Sequence, residues 1–436
     1  MMQKRSLVRR AADEYAKGNY QVALDFYRML SNQLGEKNFE VNIWLCQKRL
    51  RREGRRSADQ FPLKAVKVAC VMDEFTFHCY EPECDLLPLT PDNVLDELDN
   101  FNPDLLFVES AWRGKDELWN RKIATLSKEL RVALQWCKER QIPTVFWNKE
   151  DPVHFETFLT AVQQFDHVFT TDIDCIARYK VALGHERVYL LPFACQPRIH
   201  NPIQVIPRKD AFCFAGAYYV RYPERTHDLE NYVAVFPKYK PLDIFDRNFG
   251  KDDVNYKFPP QYDPYIVGTL PFNEIHKAYK GYRYSINLNS IKQSQTMFAR
   301  RVYELLGSNT ITVSNFSRGV RLLFGDLVLS SDSGDEILTR LRRMDSEIEQ
   351  KHQLAGLRKV MLEHTYEHRL AYVVRKALGW SWDSALPVIV VVTLVGSQDE
   401  YRRVVESYQA QRHARKRLLI ILKHPLADAQ LASPDD

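Results

Sequence analysis

From Lys64 onward, short apolar runs alternate with stretches of 3.6-residue period, the pattern of strands followed by helices. Strands are predicted at Val66–Val71, Asp104–Glu109, Pro143–Trp147, His167–Thr171 and Val188–Leu191. Between them, helices are predicted over Asp92–Leu98, Asp116–Glu139, Val153–Gln164 and Asp174–Leu183. Strict alternation of this kind implies a parallel, doubly wound sheet, whose ligands gather at the carboxyl ends of the strands. Pro192–Pro207 holds four prolines and no helical period, so it reads as an interdomain linker. A second series follows, with strands at Ala211–Ala215, Leu242–Phe245, Tyr284–Leu288, Thr310–Val313 and Leu327–Leu329. Its helices are expected over Glu224–Val235, Asn273–Tyr279, Met297–Leu306 and Asp335–Met344, and residues 346–379 read as long helices.

Both ends of the chain depart from this rhythm. Residues 5–56 are helical in pattern, with a Gly18-Asn19 turn between two amphipathic stretches. At the other end, Leu386–Thr393 reads as a buried strand, Gln398–Gln411 as a helix and Arg417–Leu422 as a second strand. The expected division is therefore a helical arm (1–60), a first α/β domain (64–195), a second (208–380) and a βαβ fragment (386–436).

Composition adds little to the fold but limits the function. The net charge of +5 is concentrated at the start: residues 1–60 hold 13 Lys and Arg against 7 Asp and Glu, so the remainder is near neutral. A basic face spread over the folded domains, the footprint of a nucleic-acid enzyme, is not expected. The basic run Lys48, Arg49, Arg51, Arg52, Arg55 and Arg56 reads as a solvated helix end or as a contact for anionic lipid or a partner. The eight cysteines show no paired C-x-x-C spacing and sit in apolar contexts, as in a reducing compartment. The longest apolar run, Leu386–Val395, falls short of the ~18 residues of a membrane span. The expectation is a cytoplasmic protein, at most peripheral at the inner face of a membrane.

Candidate chemistry concentrates in Asn289–Gly319. On the predicted Met297–Leu306 helix, Phe298, Val302, Leu305 and Leu306 share one face, while Arg300, Arg301 and Glu304 share the other, with Met297 beside them. Ser294 or Thr296 can cap this helix, and Gly307 sits where it should stop. Two arginines and a carboxylate beside a helix start can hold a diphosphate and a sugar hydroxyl, or they can be ion pairs on a wet helix face. In the first domain, Asp73, Glu150, Asp151 and His154 lie at strand ends and are candidates for a general base; Glu150 and Asp151 also suit helix capping. Asp172-Ile173-Asp174 spells D-x-D at a helix start, where capping accounts for it, and no metal site is expected.

Several strings together carry a resemblance: NLNS followed by SQTMFARRVYELL and a strand ending in SN, FCFAGAYY with Arg221 and Arg225, and upstream DEFTFHCYEPEC, ESAWRG and FWNKEDPVHF. In this order they resemble the CgeB-like glycosyltransferases over roughly Val66 to Trp380. The resemblance implies the GT-B fold, two Rossmann-like domains facing across a cleft, and a last helix that crosses back to the first domain. It implies donor-binding roles for Gly216, Tyr218, Arg221, Asn289, Ser290, Thr296, Met297, Arg300, Arg301, Glu304, Ser314 and Asn315, with Arg301 also catalytic. Glu304 matches the ribose-binding carboxylate of the E-x7-E pattern of many such enzymes, but its partner position departs from that pattern: Thr296 stands eight residues earlier. Ala11–Leu24 resembles one tetratricopeptide unit, and the C-terminal fragment resembles the opening of a family-2-type GT-A domain without its metal-binding D-x-D.

The expected activity is metal-independent transfer of a sugar from a nucleotide-sugar to a glycan or lipid-linked glycan acceptor, in surface polysaccharide or glycoconjugate synthesis. A sugar-nucleotide epimerase of the same fold and a non-catalytic glycan-binding or assembly module are the alternatives. No cofactor beyond the nucleotide-sugar substrate and no nucleic-acid partner are expected.

Overall fold

The computed structural model describes residues 2–17, 19–34, 39, 42–43, 46, 63–204, 206–380, 389–412 and 415–423. Two compact units are distinguished, Met1–Ser381 and Trp382–Asp436.

The first unit opens with a helical hairpin, α1 (Met2–Ala16) and α2 (Tyr20–Leu34). Its small core comprises Ala11, Ala23, Leu24, Tyr27 and Leu30, closed by Cys46. The helix-turn-helix expectation holds there, while the basic run 48–56 lies outside the described residues.

The first domain follows in the order β1 (Lys67–Val71), α3 (Glu74–Tyr80), β2 (Asp85–Pro88), α4 (Val94–Phe101), β3 (Leu105–Glu109), α5 (Lys128–Arg140), β4 (Thr144–Asn148), α6 (Phe155–Val162), β5 (His167–Thr170), α7 (Ile173–Leu183) and β6 (Val188–Leu190). All strands are parallel, in the order β2-β1-β3-β4-β5-β6. Because helices cover both faces, the strands are continuous apolar runs. Ala69, Val71, Leu106, Val108, Phe146 and Val168 join one core layer. Phe107 and Trp147, each 0% exposed, pack with Tyr80 on the other face. Each such side chain contributes roughly 1.5–3 kcal/mol by burial.

The second domain repeats the plan: β7 (Lys209–Gly216), α8 (Pro223–Val235), β8 (Leu242–Asp246), β9 (Ile266–Gly268), α9 (Ile275–Lys280), β10 (Tyr282–Asn287), α10 (Arg301–Gly307), β11 (Ile311–Ser314), α11 (Arg318–Phe324), β12 (Leu329–Ser330), α12 (Gly334–Arg342), α13 (Ser346–Glu363) and α14 (Tyr366–Leu378). Its parallel order is β12-β11-β10-β7-β8-β9. In each sheet the chain moves outward on one side and then restarts on the other. The reversal falls between β1 and β3 in the first and between β7 and β10 in the second, where doubly wound sheets bind ligands. The two Rossmann-like domains expected from the sequence are thus present.

The linker is not slack. Cys195 forms a parallel bridge with Thr365, and Arg369 donates to the carbonyls of Pro192 (2.8 Å) and Phe193 (2.9 Å). Tyr366 packs edge-on against Tyr80 at 4.9 Å. Helix α14 therefore lies on the first domain, as expected.

Four local expectations are corrected. Asp116–Glu139 is not one helix: Asp116, Glu117, Arg121 and Leu126 all take positive φ, and α5 starts only at Lys128, capped by Ser127. Helices α3 and α11 and the edge strands β2 and β9 were missed, since each spans eight residues or fewer and shows less than two full periods. Helix α10 starts at Arg301 rather than Met297, because Ser294 and Asn289 bind the preceding backbone N–H groups of Met297 and Ala299. It also runs through Gly307, and Asn309 takes the left-handed φ instead.

The second unit contains β13 (Ile389–Val395), α15 (Gln398–Ala410) and β14 (Lys416–Leu422), the strands parallel and in full register. Its first strand was expected to be buried. Val390, Val392 and Leu394 are instead 53%, 58% and 55% exposed, because α15 leaves one face of the pair bare.

Candidate functional site

The strand ends of the two domains face one cleft. After β1 come Asp73 and Phe75, after β3 Trp112, after β4 Glu150, after β7 Tyr219 and Arg221, after β8 Arg247 and after β10 Ser290. They line two adjoining cavities of about 330 and 620 Å³ that share Phe75, Arg247, Tyr279, Arg300 and Arg301.

The floor on the second-domain side is cationic. Arg221, Arg225, Arg247, Arg300 and Arg301 all line the smaller cavity. Arg300 is paired with Glu304. Among the described residues the other four form no ion pair with a carboxylate. Arg225 is only 5% exposed and donates to the Ala217 carbonyl at 3.1 Å. Burial, with Arg301 and Arg247 nearby, pushes its guanidinium down to about 10. Arg301 Nε is buried and has no hydrogen-bond partner among the described residues. Both guanidinium carbons stand over the Phe214 ring, Arg225 at 6.0 Å and Arg301 at 5.9 Å from its centroid. Unpaired cations gathered on a half-dry floor raise the free energy of the empty site and are relieved by an anion. Gly216 is needed here: a Cβ would stand 2.9 Å from Phe214 and 3.5 Å from Arg301 Nη2. The backbone N–H of Arg247 donates to the Gly216 carbonyl at 2.9 Å, which seats that arginine beside the glycine.

Glu304 does not lie on a wet face, as its place on the wheel predicted. It is 2% exposed, accepts from Tyr279 Oη at 3.0 Å and pairs with Arg300. Helix α9 covers α10 on the side the wheel left open, as the Tyr279 bond shows, while α13 packs on its apolar face, Gly356 against Leu306. The carboxylate still touches the cleft edge.

On the first-domain side the four proposed bases separate. Asp73 accepts from the backbone N–H of Gly114 (2.8 Å) and Arg113 (3.1 Å) and from Lys149 Nζ (2.7 Å). Burial alone would raise its carboxyl, but Lys149 and the two N–H groups hold it below the usual range. Asp73 anchors the loop after β3 and is poorly suited to take a proton. Lys149 also binds Glu109 (2.9 Å), whose carboxyl burial pushes up to about 7. Asp151 is 0% exposed; Asn148, Tyr179 and Thr170 occupy its oxygens, and burial pushes it up to about 7. It does not face the cleft, so a base there is corrected. Neither Glu150 nor Asp151 caps a helix, since α6 begins at Phe155. Glu150 and His154 do line the cleft, with His154 edge-on to Trp112 at 4.8 Å.

The remaining donor-side expectations divide likewise. Ser290, Met297, Arg221, Arg300 and Arg301 line the cleft. Tyr218 instead packs into the core against Phe258 and Tyr262. Asn289, Ser314 and Asn315, at most 1% exposed, bond to one another and to Asp228 behind the strand ends. Thr296 reaches the first domain: its hydroxyl donates to the Thr171 carbonyl and accepts from Ile173 N, both at 2.9 Å. Asp172 caps α7 through Asp174 N and accepts from Ser294. Sequence reasoning left Arg225 without an assigned role and missed Arg247; its position one residue beyond a strand end was the available signal.

Residues 247–375 match the glycosyl transferase-like family. No curated protein matches the chain. Among solved structures, the chain is similar to a glycosyltransferase from Rickettsia africae ESF-5, at 7% identity and a TM-score of 0.46, over 72% of this chain and 90% of that one. It is also similar to the N-terminal domain of Candida albicans trehalose-6-phosphate phosphatase, at 8% identity and a TM-score of 0.44, over 67% and 75% of the two chains. The second domain is thus glycosyl transferase-like, and its matched stretch contains Arg247, Arg300, Arg301 and Glu304.

Proposed function

We propose that this protein transfers a sugar from a nucleoside-diphosphate donor to a glycan acceptor, the reading that the CgeB-like resemblance also favours. One observation carries it: four arginines that have no carboxylate partner among the described residues line the second-domain side of a cleft between two Rossmann-like domains, and that domain is glycosyl transferase-like. A departing nucleoside diphosphate concentrates negative charge where the sugar bond breaks, and fixed guanidiniums stabilise that charge. Arg301, Arg225 and Arg221 are the candidates to hold the diphosphate. Glu150 or His154, across the cleft, is the candidate to accept the proton of the acceptor hydroxyl. The arginines supply the charge a cation would otherwise supply, so transfer is expected to survive chelation.

Calorimetric titration with UDP-, GDP- and dTDP-sugars, with a CMP-sugar as monophosphate control, tests the reading. One diphosphate donor should bind and be turned over in EDTA. Absence of binding by all three diphosphate donors would overturn it.

A further inference from the structure

Behind the cleft lies another cavity of about 620 Å³, between α3, the linker and α9. Phe75, Arg300 and Glu304 form the wall it shares with the smaller cleft cavity. Lys280 is its innermost cation. It is 4% exposed and among the described residues meets a single acceptor, Asn201 Oδ1, at 2.8 Å, although an ammonium carries three N–H groups. Asn201 uses its amide N–H groups on the carbonyls of Pro197 and Arg198, so its oxygen is fixed toward Lys280. Among the described residues neither Lys280 nor Arg198, at the rim, forms an ion pair. A buried charge without a counter-charge is costly.

The neighbours report a positive field. His200, 4% exposed, takes the backbone N–H of Gln196 on Nδ1 at 3.1 Å, which requires that nitrogen to be unprotonated. Burial and then Arg300, Lys280 and His276 oppose its charged form. Among the described residues two carboxylates face the cavity: Glu304, paired with Arg300 and 4.0 Å from His200 Nε2, and Glu81, engaged with His78 at 3.3 Å. Ile199, Ile203, Ile275 and Pro82 form an apolar part of the wall, beside Asn273 and His276, and Ile203 is 66% exposed.

We infer that this cavity binds a phosphate ester, the anionic end of the acceptor, with Lys280 and Arg198 on the phosphate oxygens and the isoleucines against its carbon body. The inference rests on the glycosyl transfer reading for the word acceptor; the binding site itself does not. Hexyl phosphate, inorganic phosphate and hexyl glucoside are the probes, titrated into the full chain. Hexyl phosphate should bind best of the three. Its affinity should fall by about tenfold or more in Lys280→Met and in Arg198→Ala, the scale of a lost charge-assisted hydrogen bond. It should be unchanged in Arg225→Ala/Arg301→Ala, whose loss of UDP binding separately tests the cleft. Arg198 is exposed, so its variant keeps the test usable if Lys280→Met does not fold. Loss in the cleft variant with retention in Lys280→Met would overturn the site. Equal binding of hexyl glucoside or of inorganic phosphate would overturn the phosphate-ester assignment.

Discussion

Ser294 Oγ donates a 2.6 Å hydrogen bond to Asp172 Oδ2, and the two residues belong to different domains. They are 6% and 2% exposed, so no water competes for the bond. The chain from Ser294 to Arg301 is therefore held from the first domain just before it delivers the arginine pair. Ser294→Ala should cost roughly 1–3 kcal/mol, because it strands a buried carboxylate oxygen. Thermal melting checks this; an unchanged midpoint would show that the contact opens freely in solution.

Glu304→Ala should destabilise the chain by roughly 2–3 kcal/mol, since it leaves Tyr279 Oη without its acceptor and the half-buried Arg300 without its counter-charge. Tyr279→Phe removes one bond to the same carboxylate and should cost about 1–2 kcal/mol. Urea denaturation distinguishes the two magnitudes. A Glu304 variant of normal stability that only weakens donor binding would return this residue to a purely ligand-facing role.

Arg301→Ala should lower kcat by roughly 10²–10³, the scale of a preorganised electrostatic group. Stability should hold or rise, because Arg301 is one of the cations that depress Arg225. Steady-state kinetics beside melting curves provide the check; equal losses in both would mean that Arg301 serves the fold.

His200 gives a pH signature. Its folded value is pulled down to about 3 by burial and nearby cations, against about 6.5 in an unfolded chain. The unfolded state then binds the extra proton, so stability is full above 6.5 and is lost as pH falls toward 3. Melting temperatures of the wild type and His200→Gln should differ most at neutral pH and converge as acid is added. Parallel curves from pH 7.5 to 5 would remove His200 from the account.

Most of the frame was legible because strands buried on both faces are strong, unbroken signals. Phe107 and Trp147 announce themselves as core in any window. The loop after β3 was not legible, since Asp73, some forty residues earlier, organises Arg113 and Gly114 from afar. Glu304 misled for a related reason. A helical wheel assigns faces to an isolated helix, and Tyr279 arrives from another element. The arginines were partly readable as a pair in sequence, but Arg225 and Arg247 join them only through the strand order.

The return of α14 to the first domain has a consequence for synthesis. Tyr366 covers Tyr80, and Arg369 ties the carbonyls of Pro192 and Phe193, yet both side chains leave the ribosome long after the first sheet has emerged. Until then the cover that Tyr80 begins over Phe107 and Trp147 is incomplete. A nascent chain stopped at residue 345 should be cut readily by protease within residues 64–195, and one carried through residue 380 should resist. The domain that begins first would then be finished last, as a joint event with its partner.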